Sequence, residues 1–596
     1  MIEFLDRVAQ WCLLPVAIWI LVSGADDLIV DAAFGWRWVR SLFGRRSEAL
    51  PGEANLRGAP QKRIAVFVPL WHEHQVIRGM IEHNVAAIRY FRYDVFIGAY
   101  PNDQPTLDAI RELEQRFPNV HLAVCPHDGP TSKADCLNWV FQRMLDFEEQ
   151  HRARFDVIMC HDAEDLIHPD SLRYANFYST NYAMVQIPVL PLPTRLTEWT
   201  HGVYCDEFAE YQTVNLPARQ FMGGFVPSCG VGTAITREML EKIAQTESNR
   251  IFDPRCLTED YELGFRVRRL GGRQIFVPVH FSDGAPAATR EYFPRKFRAA
   301  VKQRTRWMTG IALQSWELHG WRDTLSQLYW FWRDRKGLVG SLVGGLANLL
   351  LIHGLTRLAF GADAAALIPH TWAAVAALGF GSHRMLLRMC CTTRIYGFGF
   401  ALGVPVRTML GNVINLLATF SALRRYSVAK VRRRPLVWLK TEHAYPSRAA
   451  LRGYQRKLGE ILVGSSYITP EDLEQALATQ PEGVRLGEHL VSLGKLTDEE
   501  LYEALSLQQN LPVAHIREIP ANVAQCLPAE VSRRLKIVPF KVAAGQLFVA
   551  GPEIPSEEAT RELRRFSSLG VQFHWITPRE FKDLEAAYLM DTSDAA

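Results

Sequence analysis

Carboxylates stand at two places where a chain that moves a group off a diphosphate would need them. Asp162 and Glu164 follow the apolar run 155–160, and parallel sheets present ligand-binding groups at the carboxyl ends of their strands. Hard oxygen ligands there can fix Mg²⁺ or Mn²⁺ beside phosphates and neutralise the charge growing on a leaving diphosphate. Asp162 and Glu164 are the first choice of ligands and Asp165 is a third candidate; the bland alternative is an acidic loop capping the helix that follows near Pro169. Thr258-Glu259-Asp260 supplies the complementary group, because a carboxylate opposite the leaving diphosphate can take the proton of an attacking hydroxyl. Asp260 is assigned as that base, with Glu259 beside it. Both acids also open the helix-like run 261–266, where negative charge favours the amino end. Gln303, Arg306 and Trp307 follow at i, i+3 and i+4, one face of a helix. Arginine offers a planar fork to phosphate oxygens, and tryptophan offers an apolar face to the C–H groups of a sugar. The nearby Arg290, Arg295, Lys296, Arg298, Lys302 and Arg304 read equally as a basic helix resting on lipid headgroups.

The order and context of these motifs resemble glycosyltransferase family 2 across about residues 60–330, in the branch that contains cellulose synthase and hyaluronan synthase. The resemblance implies a GT-A α/β fold, a nucleoside-diphosphate sugar donor, inversion at the anomeric carbon and extrusion of the product through adjoining transmembrane helices. It implies further nucleotide-sugar-binding residues beside Asp162, Gln303, Arg306 and Trp307: Glu73 in the loop after the first strand, 64–69; Asp103, the base-reading acid after the second; and Lys133 in Ser132-Lys133-Ala134-Asp135-Cys136-Leu137-Asn138. Residues 225–233 resemble the acceptor-side loop. Glu164 stands where the family pattern has Asp. As a solvated surface lysine, Lys133 would have no such role.

At 596 residues the chain exceeds one ordinary domain, and 48% hydrophobic residues with 15 Trp suit membrane segments joined to soluble ones. A net charge of +4 decides little, and the ten scattered Cys read as reduced thiols rather than a disulfide framework. The apolar stretch 8–25 approaches the ~20 residues needed to cross a bilayer. Basic residues Arg37, Arg40, Arg45 and Arg46 follow it, which places the domain after the linker 51–60 in the cytoplasm. Residues 337–361 and 364–382 read as a transmembrane hairpin turning at Asp363. Residues 399–420 carry Arg407, Gly411, Asn412, Asn415 and Thr419 at helical spacing, so an interfacial amphipathic helix is expected there. Three crossings follow, or five if the parity is read otherwise, and a partner or homo-oligomer would complete so thin a channel. The expected domains are 1–50, an anchor; 60–330, the transferase; 331–435, membrane and interfacial helices; and 445–590, described next.

Lys457-Leu458-Gly459 with Leu462, Leu473, Leu477 and Gln480 recurs 28 residues on as Arg485-Leu486-Gly487 with Leu490, Leu501, Leu505 and Gln508. Each copy is expected to form a helical hairpin whose leucines pack the pair, while glycine at the helix start lets a base or phosphate approach the backbone. Simple helical pairing explains the leucines but does not require the repeated Lys/Arg-Leu-Gly triplets. The duplication resembles the amino-terminal domain of MshE, also called the type II secretion ATPase amino-terminal domain, which implies cyclic di-GMP binding by these residues. The first copy departs from the pattern with Lys457 for Arg and Ser466 for Gly, and lysine lacks the planar fork that grips phosphate or stacks on guanine. Residues 511–589 resemble the small α/β half of that domain.

The domain order as a whole resembles a family of bacterial inner-membrane proteins. That resemblance implies a cyclic di-GMP-activated synthesis of secreted exopolysaccharide from a UDP-sugar, a UDP-N-acetylhexosamine such as UDP-N-acetylmannosamine, with an outer-membrane export partner and no nucleic acid polymer. Two other readings stand: a non-processive transferase to a lipid carrier, and a non-enzymatic membrane receptor or assembly factor that uses the transferase domain as a scaffold.

Overall fold

The computed structural model describes residues 2–43, 50–246, 249–282, 285–361, 371–433, 436, 457–465, 467–481, 483–509, 511–514, 516, 518–543, 546–556, 559, 562–563, 566 and 569–589. Two compact units form, residues 1–80 with 90–450, and residues 81–89 with 451–596.

In the first unit β-branched and aromatic runs build a seven-stranded sheet in the order β3-β2-β1-β4-β7-β5-β8. The strands are β1 Ile64–Pro69, β2 Tyr93–Ala99, β3 Val120–Val124, β4 Val157–Cys160, β5 Met184–Gln186, β6 Val189–Pro191, β7 Thr233–Thr236 and β8 Gln274–Phe276, β6 lying outside the main sheet. β1 pairs in parallel with β2 and β4, while β7 runs antiparallel between β4 and β5. The core residues Phe67, Phe96, Phe141, Met144 and Phe155 are essentially fully buried, so the sheet is covered and only strand ends are left to carry chemistry.

Among the described residues, three helices are long and apolar enough to cross a membrane: Ile2–Leu42, Leu325–Ala359 and Val404–Val431. The first is longer than the stretch 8–25 expected from hydropathy, and it packs along Leu325–Ala359 in the opposite sense, since Asp6 meets Arg357 and Asp26 meets Arg333. Of the expected second arm of the hairpin, 362–370 lie outside the described residues, and a helix Thr371–Tyr396 follows. Arg45, Arg46 and Ser466 also lie outside them.

The polar stripe of Val404–Val431 differs from expectation. It faces protein: Arg407 is bidentate to Asp206 at 2.6 and 2.8 Å, Asn415 accepts from Arg304 at 3.2 Å, and Thr419 is fully buried. Val406, Val413, Leu417 and Phe420 are exposed on the helix. Residues that would solvate a helix at an interface instead tie it to the transferase sheet's helices. Breaking a buried pair leaves an uncompensated charge, so Asp206→Ala is expected to cost about 3–5 kcal/mol. Thermal unfolding in detergent would read this as a drop of several degrees, and an unchanged melting curve would show that the pair does not hold the helix.

In the second unit the duplicated segments form helices Leu458–Gly464, Pro470–Thr479, Leu486–Ser492 and Asp498–Gln509. Thr469 and Asp472 close a capping box on the second, and Thr497 with Glu500 makes the same reciprocal bonds on the fourth. The three strands Val538–Ala543, Gln546–Gly551 and Gly570–Trp575 and the helix Pro578–Tyr588 complete an α/β half.

Candidate active site and regulatory motif

Strand ends and several helices converge on a cavity of about 610 Å³ in the first unit. Asp162 and Glu164 reach it from the loop after β4, Lys133 from the first turn of helix Lys133–His151, and Glu259 and Asp260 from the start of helix Glu259–Arg269. Gln303, Arg306 and Trp307 all line it from helix Phe297–Trp307, so the i, i+3, i+4 face is the inward one. Glu73 lines it too, and is 6% exposed.

The Lys133 ammonium sits 2.6 Å from Asp162 Oδ1 and 3.4 Å from the Gly230 carbonyl oxygen. Burial opposes its charge, but Asp162, Glu259 and Asp260 more than offset this and raise its pKa. Lys133 is therefore a fixed cation between the two carboxylate pairs. Burial, then the neighbouring Asp260 charge, pushes Glu259 up to about 7. Burial likewise raises Asp260, with Lys133 opposing, and a raised carboxylate is a stronger base than one in water. Gly230 is at φ +80°, and a Cβ there would lie 2.7 Å from Asp260 Oδ2, so both conformation and space require glycine. The loop holding it is pinned by Gln186, whose Oε1 accepts from Cys229 N–H and Thr233 Oγ1 and whose Nε2 donates to the Val231 carbonyl.

Asp165 faces inward. Its Oδ2 accepts from the Asp162 backbone N–H at 3.0 Å and lies 2.7 Å from Nδ1 of His161, with both side chains fully buried. Burial depresses His161 to about 3, so the ring is neutral and donates to the carboxylate. Glu164, not Asp165, is the second carboxylate at the cavity. Among the described residues no cluster of three metal-ligating side chains occurs. Two carboxylates opening on a cavity fit a divalent cation shared with a substrate's phosphate oxygens, and do not fit a closed protein cage.

Asp103 is fully buried, accepts from the His72 backbone N–H at 2.6 Å, and does not line the cavity. The aromatic wall on that side comes from residues sequence reasoning passed over: Trp71 and Tyr100 meet edge to face at 5.4 Å. Their signal was available, since both stand just beyond the ends of β1 and β2. Asn138, quoted only as part of the Lys133 segment, accepts from Ile251 and Phe252 N–H and donates to Phe252 O, tying that helix to the strand of chain that leads to Thr258. Gln314 likewise accepts from Leu257 N–H at 3.0 Å. It lies in the π-helical stretch Met308–Gln314 that directly follows Trp307, a distortion common at functional sites. Arg219, Arg333, Asp334, Arg384 and Arg388 also line the cavity and were not anticipated.

In the second unit Lys457 and Arg485 are exposed at the N-caps of their helices, and Leu462 and Leu490 are fully buried. Leu477 is exposed, while Leu458, Leu473, Gln480, Leu486, Leu505 and Gln508 are half-buried and Leu501 is buried. The glycines differ from expectation: a Cβ on Gly459 would lie 2.6 Å from Leu473, and one on Gly487 would meet Leu501 and, at 3.3 Å, Leu458. Their missing side chains make room for leucines of the paired helices rather than for a ligand against the backbone. The exposed cations and Leu477 are left as the accessible part of the motif and suit an anionic, planar ligand.

The family described as Glycosyltransferase like family 2 matches residues 60–310, and the MshEN domain family matches residues 509–592. Bacteriophage adsorption protein B of Escherichia coli K12 is 34% identical over 588 residues, covering 92% of this chain and 78% of that protein. Bacteriophage N4 adsorption protein B of Escherichia coli O157:H7 matches with the same figures. Among solved structures, a mannosyltransferase from Pyrobaculum calidifontis in complex with GDP-Man and Mn²⁺ is 15% identical with TM-score 0.41, covering 67% of this chain and 99% of that one. MshE with bound cdg is 28% identical with TM-score 0.21, covering 22% of this chain and 99% of that one.

Proposed function

Since the chain belongs to the bacteriophage adsorption protein B family and joins a family 2 GT-A glycosyltransferase to an MshEN domain, we propose that it is a cyclic di-GMP-activated, metal-dependent, inverting polymerase of a UDP-sugar. The substrate class is a UDP-N-acetylhexosamine such as UDP-N-acetylmannosamine. Both domains face the cytoplasm from the bacterial inner membrane, and an outer-membrane partner carries the exopolysaccharide onward. The observation that carries the reading is the convergence of Lys133, Asp162, Glu164, Asp260, Arg306 and Trp307 on one cavity.

Each group has a task there. Asp162 and Glu164 hold a Mg²⁺ or Mn²⁺ ion, which when bound supplies Lewis-acid stabilisation of the diphosphate. Lys133 and Arg306 add fixed positive charge on the phosphates without reorganisation. Trp307 stacks on the acceptor sugar and orients its hydroxyl. Asp260 Oδ2, at the wall formed by Gly230, takes the hydroxyl proton as the oxygen attacks the anomeric carbon. Trp71, backed edge to face by the buried Tyr100, offers a stacking face for the base. The polymerising reading is favoured over single-sugar transfer by Trp307 on the inward face of its helix, lining a cavity that Arg384 and Arg388 of helix Thr371–Tyr396 also line.

For regulation, the dinucleotide must bind one state of the enzyme better than the other. Arg485 is the better of the two exposed cations for this, since its guanidinium can both stack and grip phosphate. Arg485→Ala is expected to weaken cyclic di-GMP binding at least tenfold and to reduce the ratio of stimulated to basal turnover to one at a concentration that saturates the unmodified protein. Turnover that never depends on the dinucleotide, in either protein, would remove the activating role. Sizing the product by gel separates long chains from a single added sugar.

A further inference from the structure

Helix Phe297–Trp307 continues past Trp307 by widening into the π-helical stretch Met308–Gln314, and that stretch meets the segment leading into Glu259-Asp260. Two contacts fasten the segment. Gln314 accepts from the Leu257 N–H at 3.0 Å through Oε1 and donates to the Arg255 carbonyl at 2.7 Å through Nε2, so one side chain holds both backbone polarities just ahead of Thr258. At Gly310 the helix backbone itself meets Thr258: a Cβ there would press on Thr258 Oγ1 and lie 2.9 Å from its Cβ. Ile311 packs on the cluster that contains Tyr261, the residue after Asp260.

The segment has little to hold it from within. Thr258 is the N-cap residue of helix Glu259–Arg269, yet its side chain makes no capping bond, and such a bond ordinarily fixes where a helix begins. Glu259 and Asp260 both line the cavity from that uncapped first turn. Their placement is supplied from outside, by a turn whose π geometry is itself rare and recurs at functional sites.

We propose that Gln314 is a positioning residue for the base and that, with Gly310, it joins the Gln303-Arg306-Trp307 face to Asp260 as one piece. The proposal rests on the reading of Asp260 as base and deepens it. Without this joint the phosphate- and acceptor-facing groups could shift against the base, and a displacement of about 1 Å can cost on the order of 10²-fold in rate. Ordinary packing of two helices explains Ile311. It does not require the two backbone bonds of Gln314, nor glycine at a helical position where alanine is the better helix former.

The test separates placement from folding. Gln314→Met keeps the length of the side chain and removes both bonds, and is expected to lower kcat at least tenfold with donor KM within twofold. Gly310→Ala is favourable for a helix alone, yet should lower kcat to a similar extent by pushing Thr258 aside. That loss should shrink to under threefold when measured in a Thr258→Ala background, where the two nearest atoms, Oγ1 and Cγ2, are gone. Amide hydrogen exchange on the full chain in nanodiscs, with no donor present, reads the same placement without turnover. Residues 255–260 should exchange at least tenfold faster in Gln314→Met than in the unmodified protein. Unchanged exchange there, or a kcat within twofold of the unmodified protein in both single variants, overturns the proposal. Faster exchange in a protein whose Asp260→Asn variant is fully active, or which transfers no sugar, would instead sink the reading of Asp260 as base, and the positioning role with it.

Discussion

Replacing Asp260 by Asn is expected to abolish sugar transfer while leaving the fold and cyclic di-GMP binding intact. The substitution keeps the size of the side chain and its bond from the Tyr261 N–H, made at 2.8 Å by Oδ1, but removes the group that accepts a proton. A positioned general base contributes on the order of 10²–10⁴ in rate, and burial makes Asp260 a better base than a solvated carboxylate. The loss should appear in kcat rather than in donor KM, since the role proposed for Asp260 is on the acceptor. Loss of less than tenfold would remove Asp260 as base and move attention to Glu259, the other raised carboxylate of the pair.

Asp162→Ala is the second large effect. It removes one proposed metal ligand and at the same time the carboxylate 2.6 Å from Lys133, so both the cation beside the diphosphate and the placement of Lys133 are lost. Lewis-acid stabilisation is worth several kcal/mol, and each 1.36 kcal/mol is tenfold in rate, so turnover should fall on the order of 10³-fold. Chelation of the unmodified enzyme should produce a loss of the same size, and chelation of the variant little more, because groups that act as a unit are not additive. An unmodified enzyme that turns over fully in chelator would show that Asp162 serves Lys133 alone. Asp165→Asn should behave differently: with its carboxylate bonded to His161 and to the Asp162 backbone, its loss is felt as stability.

The parts of the site that were legible in the sequence are those written locally. Asp162 and Glu164 end an apolar strand run, Lys133 opens a helix behind a serine cap, and Gln303, Arg306 and Trp307 share a face by spacing alone; all reach one cavity. What stayed hidden depends on partners far apart in the chain. Nothing near Arg219 announces Asp334, 115 residues on, nor does Glu210 announce Arg388, 178 residues on. Polar stripes were also ambiguous in principle: Arg407, Asn415 and Thr419 have the spacing of a solvated face, and only the carboxylate of Asp206 decides that the face is buried. The repeated glycines were read correctly as a need for space, but leucines occupy it. Asp103 and Asp165 likewise carry bonds that the sequence does not announce, to the His72 backbone N–H and to His161 Nδ1.

The most direct measurement is UDP release by the purified full chain in nanodiscs with Mg²⁺ or Mn²⁺, over a panel of UDP-sugars, with and without cyclic di-GMP, alongside Asp260→Asn. The account predicts release from one N-acetylhexosamine donor, stimulated by the dinucleotide and absent in the variant. Release that is equal in the variant, or silence across the whole panel in the presence of the dinucleotide, would contradict it.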